Sequence, residues 1–230
     1  MALPKIEVPT FEVEIPGIDK KIKCRPFLVK EDKILILGNE SGELKDKVAA
    51  CQQVVENCTF GEVDIKSLAM YQLQLLFIKI KSKSIGDILN FVLSCGGCDT
   101  KINYDMNIND FKVMGSVDKN TETIKLNDET GMVLKYPNAE VQSSSSELSD
   151  LDLISKCIDH IYSGEEIVKP EEVSNEELVE WIENLPLTAI ENINKFFENV
   201  PVIGHTVEFT CKKCEQPSKV IINGYEHFFV

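Results

Sequence analysis

Two Cys-x-x-Cys pairs constrain the fold of this 230-residue chain more than any other feature. One runs from Cys95 to Cys98 and the other from Cys211 to Cys214, and each separates two short alternating segments that are typical of β-strands. Each pair is therefore predicted at the tip of a β-hairpin, as in a zinc knuckle. Two facing knuckles would supply four thiolates in the closed tetrahedral geometry of structural zinc. The sequence thus predicts a structural zinc site with Cys95, Cys98, Cys211 and Cys214 as its ligands.

Thiol redox chemistry is the main alternative for the two pairs. A reactive Cys-x-x-Cys pair usually lies where a strand runs into a helix, because the helix N-terminus lowers the thiol pKa. Both pairs here lead into predicted strands instead. The first residues also show no secretory leader, so we expect reduced thiols that bind metal rather than disulfides. A CxxC thiol oxidoreductase is the less favoured alternative.

The negative charge of the chain is concentrated in one segment. Residues 140–198 hold fifteen acids and three lysines, a net charge of -12 out of -14 for the whole chain. Arg25 is the only arginine, so the planar guanidinium groups that recognise phosphates and base edges are nearly absent. We expect no nucleic-acid binding, which argues against the other alternative, a zinc-ribbon adaptor of transcription or translation. The acidic segment is predicted to be a solvated face or a surface for a basic partner.

Periodicity predicts an α+β fold in which helices pack with antiparallel β-hairpins, including a zinc-ribbon-like module made of the two knuckles. Three helices are expected before residue 81: a short one from Val29 to Leu37 that ends at Gly38, one at about 42–57, and a central, buried one at 68–80 that is apolar nearly all round. Cys51 and Cys58, seven residues apart, could ligate metal or react but are expected to be small core residues. Three acidic helices are expected between 148 and 200, the first of them running through Ile161. Four prolines before residue 27 favour an extended arm or hairpin there. The predicted organisation is an extended N-terminal arm or hairpin (1–29), a helical and β-hairpin core with the first knuckle (30–140), an acidic helical insertion (141–200), and a second knuckle hairpin whose aromatic C-terminus returns to the core (201–230).

The sequence shows no cluster of polar residues suited to catalysis. Its three histidines, His160, His205 and His227, are scattered, and it has no glycine-rich phosphate loop, nucleophile elbow or paired-histidine motif. It also has no apolar run long enough to span a bilayer. We therefore expect a soluble, non-enzymatic binding or assembly protein without a membrane span.

One block of sequence, together with both ends of the chain, resembles a known family. The block is Arg-Pro-Phe-Leu-Val-Lys-Glu at residues 25–31, which runs into a short predicted helix. The chain opens on Leu3-Pro-Lys5 and closes with a Phe-Thr-Cys-x-x-Cys hairpin at 209–214 followed by Phe228 and Phe229. These features resemble the baseplate hub assembly proteins of T-even-like contractile-tailed bacteriophages.

The resemblance implies a structural or chaperoning role in building the central hub of the tail baseplate, without enzymatic activity. The implied partners are other phage tail and baseplate hub proteins, and the implied location is the host cytoplasm during assembly or the virion baseplate itself. Which hub protein is contacted, and in what stoichiometry, is left open. One departure from the family pattern concerns metal binding, because Glu215 follows the second knuckle where glycine is more usual. Glycine there would ease the backbone around the sulfurs.

Overall fold

The computed structural model describes residues 4, 6–115, 117 and 121–223, and this part of the chain divides into two compact units. Unit 1 comprises the residues up to Ile65, Tyr71–Met114, and the residues from Val202 onward. Unit 2 comprises Lys66–Met70 and Gly115–Pro201. The acidic segment therefore lies in unit 2, whereas both Cys-x-x-Cys pairs belong to unit 1.

Helices and antiparallel strands make up both units, which confirms the predicted α+β class. The described helices are α1 (Val29–Glu40), α2 (Leu44–Cys58), α3 (Met70–Ile85), α4 (Ala139–Ser144), α5 (Asp150–Cys157), α6 (Asn175–Glu183) and α7 (Leu187–Glu198). The described strands are β1 (Phe11–Val13), β2 (Ile22–Cys24), β3 (Ile88–Ser94), β4 (Lys101–Asn107), β5 (Lys112–Met114), β6 (Thr121–Lys125), β7 (Thr130–Lys135), β8 (Ile158–Ser163), β9 (Glu166–Val168), β10 (Val202–Thr210) and β11 (Pro217–Asn223). Among the described residues, no helix is both long enough and apolar enough to cross a membrane.

Unit 1 contains three small sheets and the helices α1, α2 and α3. Its sheets are the hairpins β1–β2 and β3–β4 and a three-stranded sheet in the order β11-β10-β5. Helix α3 is apolar on nearly all sides, and Leu73, Leu76 and Phe77 on it are fully buried. A helix of this composition is stable only inside a core, which agrees with the prediction of a central helix.

Helices α1 and α2 approach each other closely at Gly38. A Cβ atom at this position would lie only 2.5 Å from the Cβ of Ala50 on α2, so a glycine is needed at this crossing. The expectation that α1 ends at Gly38 is wrong, because the helix continues to Glu40. Here the glycine serves helix packing instead of helix termination.

The family-like block at 25–31 is built around a buried ion pair. Arg25 donates from Nη1 to Oε2 of Glu31 at 3.1 Å and from Nη2 to Oε1 at 2.9 Å, with the two side chains 9% and 0% exposed. The Leu28 N–H also donates to Oε2, at 2.9 Å. Burial opposes ionisation of Glu31, but the bonds from Arg25 and Leu28 outweigh it and hold the pKa of Glu31 below its usual value. The pair therefore fixes the start of α1.

The same block is also tied to the central helix. The Phe27 N–H donates to Oγ of Ser84 on α3 at 2.8 Å, and the Phe27 ring packs on Phe77 with centroids 5.6 Å apart. The first residues of the block thus connect β2, α1 and α3. Its chemistry is structural, since Arg25 and Glu31 are buried and paired with each other.

Unit 2 is a two-layer structure in which helices cover one face of a four-stranded sheet. The sheet order is β6-β7-β8-β9, and every pairing in it is antiparallel. The shared core is formed by apolar residues of the sheet and of α5, α6 and α7: Ile124, Met132, Leu134, Ile154, Ile158, Leu178, Ile182, Ala189, Ile193 and Phe196. Helices α6 and α7 lie where acidic helices were expected.

The prediction of a helix running through Ile161 is wrong. Helix α5 ends at Cys157, and β8 begins at Ile158 and pairs with β7. A β-bulge at Asp159 places two residues of β8 against one residue of β7, so Ile158 and Ile161 both turn toward the core although they are three residues apart. That spacing resembles helical periodicity, which explains the error. The C-terminal aromatic residues Tyr225, Phe228 and Phe229 and the opening Leu3 and Lys5 lie outside the described residues.

Candidate metal centre

Each Cys-x-x-Cys pair lies at the tip of a β-hairpin, as the strand pattern predicts. Strands β3 and β4 pair from Ile88 with Asn107 to Ser94 with Lys101, so the 95–98 pair fills the turn. Strands β10 and β11 close with Thr210 opposite Pro217, and the 211–214 pair fills that turn. Because both hairpins belong to unit 1, residues more than one hundred positions apart in the chain meet at one place.

The two knuckles have the same backbone hydrogen bonds. In the first, the Cys95 N–H donates to the Thr100 carbonyl at 3.0 Å, and the Asp99 N–H donates to the Cys95 carbonyl at 2.9 Å. In the second, the Cys211 N–H donates to the Gln216 carbonyl at 3.0 Å, and the Glu215 N–H donates to the Cys211 carbonyl at 2.8 Å. The two turns therefore fold alike despite their different sequences, Gly-Gly in one and Lys-Lys in the other.

Both knuckles place a non-glycine residue in the left-handed region directly after the second cysteine. The φ angles are 53° at Asp99 and 57° at Glu215. This conformation costs a residue with a side chain roughly 1–2 kcal/mol, and glycine adopts it without that cost. The structure thus supports the sequence argument that a glycine would ease the backbone at position 215.

Substituting Glu215 with glycine is expected to stabilise the protein by about 0.5–1 kcal/mol, because removal of the left-handed strain exceeds the extra chain entropy that glycine brings to the unfolded state. Urea denaturation of the full chain measures the change. The matched control is Glu208→Gly in β10, where φ is not positive and glycine should destabilise the strand. A loss of stability in Glu215→Gly would contradict the strain argument.

The four thiols converge at the knuckle tips. Sγ of Cys95 lies 3.6 Å from Sγ of Cys214, Sγ of Cys98 lies 3.7 Å from Sγ of Cys211, and all four sulfurs lie within 4.8 Å of one another. A tetrahedral zinc ion with bonds of about 2.3 Å would place its sulfurs roughly 3.8 Å apart. The cluster therefore has the donor type and the spacing to hold a metal ion.

Backbone groups and side chains around the sulfurs stabilise negative charge. The N–H groups of Gly97 and Lys213 each lie 3.4 Å from the sulfur of the first cysteine in their own knuckle. The N–H of Gly97 and the hydroxyl of Ser218 lower the pKa of Cys95 to about 6. These contacts favour the thiolate form that a metal ion requires.

The pKa of Cys214 shifts in the opposite direction to that of Cys95. A backbone N–H of Gln216 favours its thiolate, but burial and the neighbouring thiols outweigh this bond and raise the pKa of Cys214 to about 12. Four thiolates this close would repel each other unless a cation lay between them. Metal binding would therefore release protons from the site.

Gly97 lies where the two knuckles approach each other closely. A methyl group there would overlap the side chain of Gln216 on the other knuckle and lie 3.7 Å from Sγ of Cys214, whereas a methyl at Gly96 would meet nothing within 4 Å. The sequence argument did not single out Gly97. Only the position of the opposite knuckle distinguishes the two glycines.

The other four cysteines are buried and are not members of this cluster. They are Cys24, Cys51, Cys58 and Cys157. Burial raises the pKa of Cys24 and of Cys157 to about 12, and that of Cys58 to about 11. They are thiols of the protein interior, which matches the expectation that Cys51 and Cys58 are core residues.

The histidines that the structure describes also lie apart from the cluster. His160 is on β8 in unit 2, where its Nδ1 lies 2.8 Å from the Asp159 carboxylate. His205 is on β10, and its Nδ1 donates to the Asp110 carbonyl at 3.2 Å. Neither is a member of the four-thiol group, and His227 lies outside the described residues.

Comparison with protein families connects this fold to a biological assembly. A family model for T4 bacteriophage base plate protein matches residues 8–230, which covers both units and both knuckles. The chain belongs to this base plate protein family. The match confirms the base plate relationship that the block at 25–31 and the ends of the chain indicate, and it places the chain among structural components of the phage tail. No curated protein and no solved structure gives a significant match to this base plate protein.

Proposed function

We propose that this base plate protein acts in building the hub of the tail baseplate, as a structural or chaperoning component without enzymatic activity. The observation that carries the proposal is the family match across residues 8–230. The hub assignment rests on the resemblance of the block at 25–31, whose buried Arg25–Glu31 pair anchors α1. Its partners would be other hub proteins, met in the host cytoplasm during assembly.

The proposal includes one structural zinc ion held by Cys95, Cys98, Cys211 and Cys214. The spacing of the four sulfurs and the N–H groups of Gly97 and Lys213, directed at the sulfurs of Cys95 and Cys211, support it. Zinc would join hairpin β3–β4 to hairpin β10–β11 as a zinc-ribbon-like module. Because loop closure over the 119 positions between Cys95 and Cys214 costs little more than over a short loop, metal binding can offset it.

The acidic insertion at 141–200 is proposed as the surface that meets a basic hub partner. On α6, Leu178 and Ile182 face the core, while Glu176, Glu180 and Glu183 are exposed along one side at spacings of four and three. Like charges at this spacing destabilise an isolated helix slightly. An oppositely charged partner would remove that repulsion and accelerate association.

Recovery of tail proteins from infected cells tests the role. Tagged wild-type chain is expected to capture hub proteins, and the triple variant Glu176→Lys, Glu180→Lys, Glu183→Lys is expected to capture roughly tenfold less because three attractions become repulsions. The matched control reverses three exposed acids of unit 1, Glu7→Lys, Glu12→Lys and Asp19→Lys, with the same change in net charge.

The outcomes of this experiment separate the two parts of the proposal. If the wild-type chain recovers no tail proteins, the hub role is wrong. If both triple variants recover the same amount, the hub role stands and the acidic surface of α6 is not the contact. Immunoblots of purified virions then decide between a component that stays in the baseplate and one that acts only during assembly.

A further inference from the structure

Helix α1 exposes an apolar face on the side opposite its own core contacts. Its buried side carries Glu31 and Gly38, which face the protein interior and α2. On the other side Val29 is 74% exposed, Ile36 51% and Leu37 66%. Ile36 and Leu37 follow Val29 by seven and eight positions, so the three residues lie along one stripe. A surface helix normally places polar residues there, and exposed apolar stripes mark contact sites.

Two opposite charges flank this stripe symmetrically. Lys33 and Glu40 are both exposed and lie on the same face as Ile36 and Leu37. Each is the same number of residues from the midpoint between Ile36 and Leu37. If two α1 helices pack antiparallel about that midpoint, Lys33 of each copy faces Glu40 of the other, and Ile36 faces Leu37. The stripe is therefore complementary to itself.

We propose that α1 forms a two-fold interface between two copies of this chain. The apolar centre would be Ile36 and Leu37 of both copies, flanked by the two reciprocal Lys33–Glu40 pairs. Such a self-complementary patch gives a closed dimer, the commonest symmetric assembly. The charge arrangement excludes parallel pairing, which would place lysine against lysine.

Sedimentation equilibrium of the full chain with charge variants tests this interface. Wild type is expected to dimerise. Lys33→Glu alone or Glu40→Lys alone is expected to raise the dimer dissociation constant roughly tenfold or more, because each substitution creates two like-charge pairs in the two-fold interface. An equimolar mixture of the two single variants is expected to recover the dimer as a 1:1 heterodimer. In that heterodimer the introduced glutamate of one chain faces the introduced lysine of the other, and the unchanged Lys33 faces the unchanged Glu40.

A second pair of variants tests the apolar centre. Ile36→Ser with Leu37→Ser is expected to give a monomer with an unchanged circular dichroism spectrum, since both side chains are exposed in the single chain. Ile88→Ser with Val92→Ser removes two similarly exposed apolar residues, 61% and 63%, from β3 and should leave the dimer intact.

The proposal is independent of the hub role, because it concerns the purified chain alone. A wild-type chain that stays monomeric up to high micromolar concentration overturns it and leaves the α1 stripe to a different partner or to another segment of the chain. A dimer that survives the Ile36 and Leu37 substitutions, or a mixture of the charge variants that stays monomeric, overturns it equally.

Discussion

Replacing Cys211 with serine is expected to abolish binding of the proposed zinc ion and to separate the two hairpins that meet at the knuckles. Serine is a poor zinc ligand, and three thiolates cannot complete the closed tetrahedral site. Structural zinc contributes roughly 10–16 kcal/mol of apparent binding energy in small domains. Even if only part of this stabilises unit 1, the melting temperature should fall by roughly 10 °C or more. Calorimetry and elemental analysis of protein purified without chelator measure both effects.

The matched control for this prediction is Cys157→Ala, which removes a buried thiol of unit 2 that is not part of the four-thiol cluster. It should lower stability by about 1 kcal/mol through lost packing and leave the metal content unchanged. Thiol labelling gives a second measurement, because four more cysteines of the wild-type protein should react after treatment with a chelator than before it. Less than about half an equivalent of metal in the wild-type protein would contradict a filled four-thiolate site.

Replacing Arg25 with methionine is expected to destabilise the protein by about 3–5 kcal/mol, because it leaves the Glu31 carboxylate buried without its partner. Glu31→Gln should have a similar effect for the opposite reason, since Arg25 cannot lose its charge. The double variant Arg25→Met with Glu31→Gln should be less destabilised than the sum of the two single variants. Urea denaturation of all four proteins forms the double-mutant cycle.

Acidification provides an independent test of the ion pair. The pKa of Glu31 is lowered in the folded state, so its stabilising contribution is complete above the unfolded pKa of about 4.3 and is lost as the pH falls through the folded value. The difference in unfolding free energy between wild type and Glu31→Gln should therefore shrink below about pH 4. A difference that is constant from pH 7 to pH 3 would contradict this expectation, because it would mean that the pKa of Glu31 is the same in the folded and unfolded states.

The exposed acids on α6 and the buried Arg25–Glu31 pair should respond differently to substitution. Acids on α6 are exposed, so their reversal should change partner binding with little effect on stability. Arg25 and Glu31 are buried and hydrogen-bonded, so their loss should change stability first. Comparing the α6 and Arg25 variants in the same recovery and unfolding experiments therefore separates a binding surface from a structural element.

Local patterns in the sequence determined the secondary structure around the site. Alternating residues on both sides of each Cys-x-x-Cys pair specify two strands and a turn, and β3 begins and ends where that alternation does. Apolar residues on nearly all sides of α3 specified a buried helix in the same way. These predictions depend only on neighbours within a few residues, which is why they could be made without a structure.

Tertiary structure alone decided which distant groups meet. In the sequence, Arg25 and Glu31 are only two members of the family-like block at 25–31. The packing of β2 and α1 shows that they form a buried ion pair. The bulge at Asp159 gives the core-facing residues of β8 the three-residue spacing of a helix. Pairing with β7 overrides the local preference of this segment for a helix.

The Cys-x-x-Cys pairs also show which properties the sequence determines and which the tertiary structure decides. Their sequence determined two cysteine-tipped turns and the chemistry of their side chains. The fold decided that the four sulfurs lie within 4.8 Å of one another and that a side chain at Gly97, unlike one at Gly96, would meet Gln216 of the other knuckle. The physical reason is that a turn is specified by its own few residues, whereas the distance between two turns is set by every contact that packs the hairpins together.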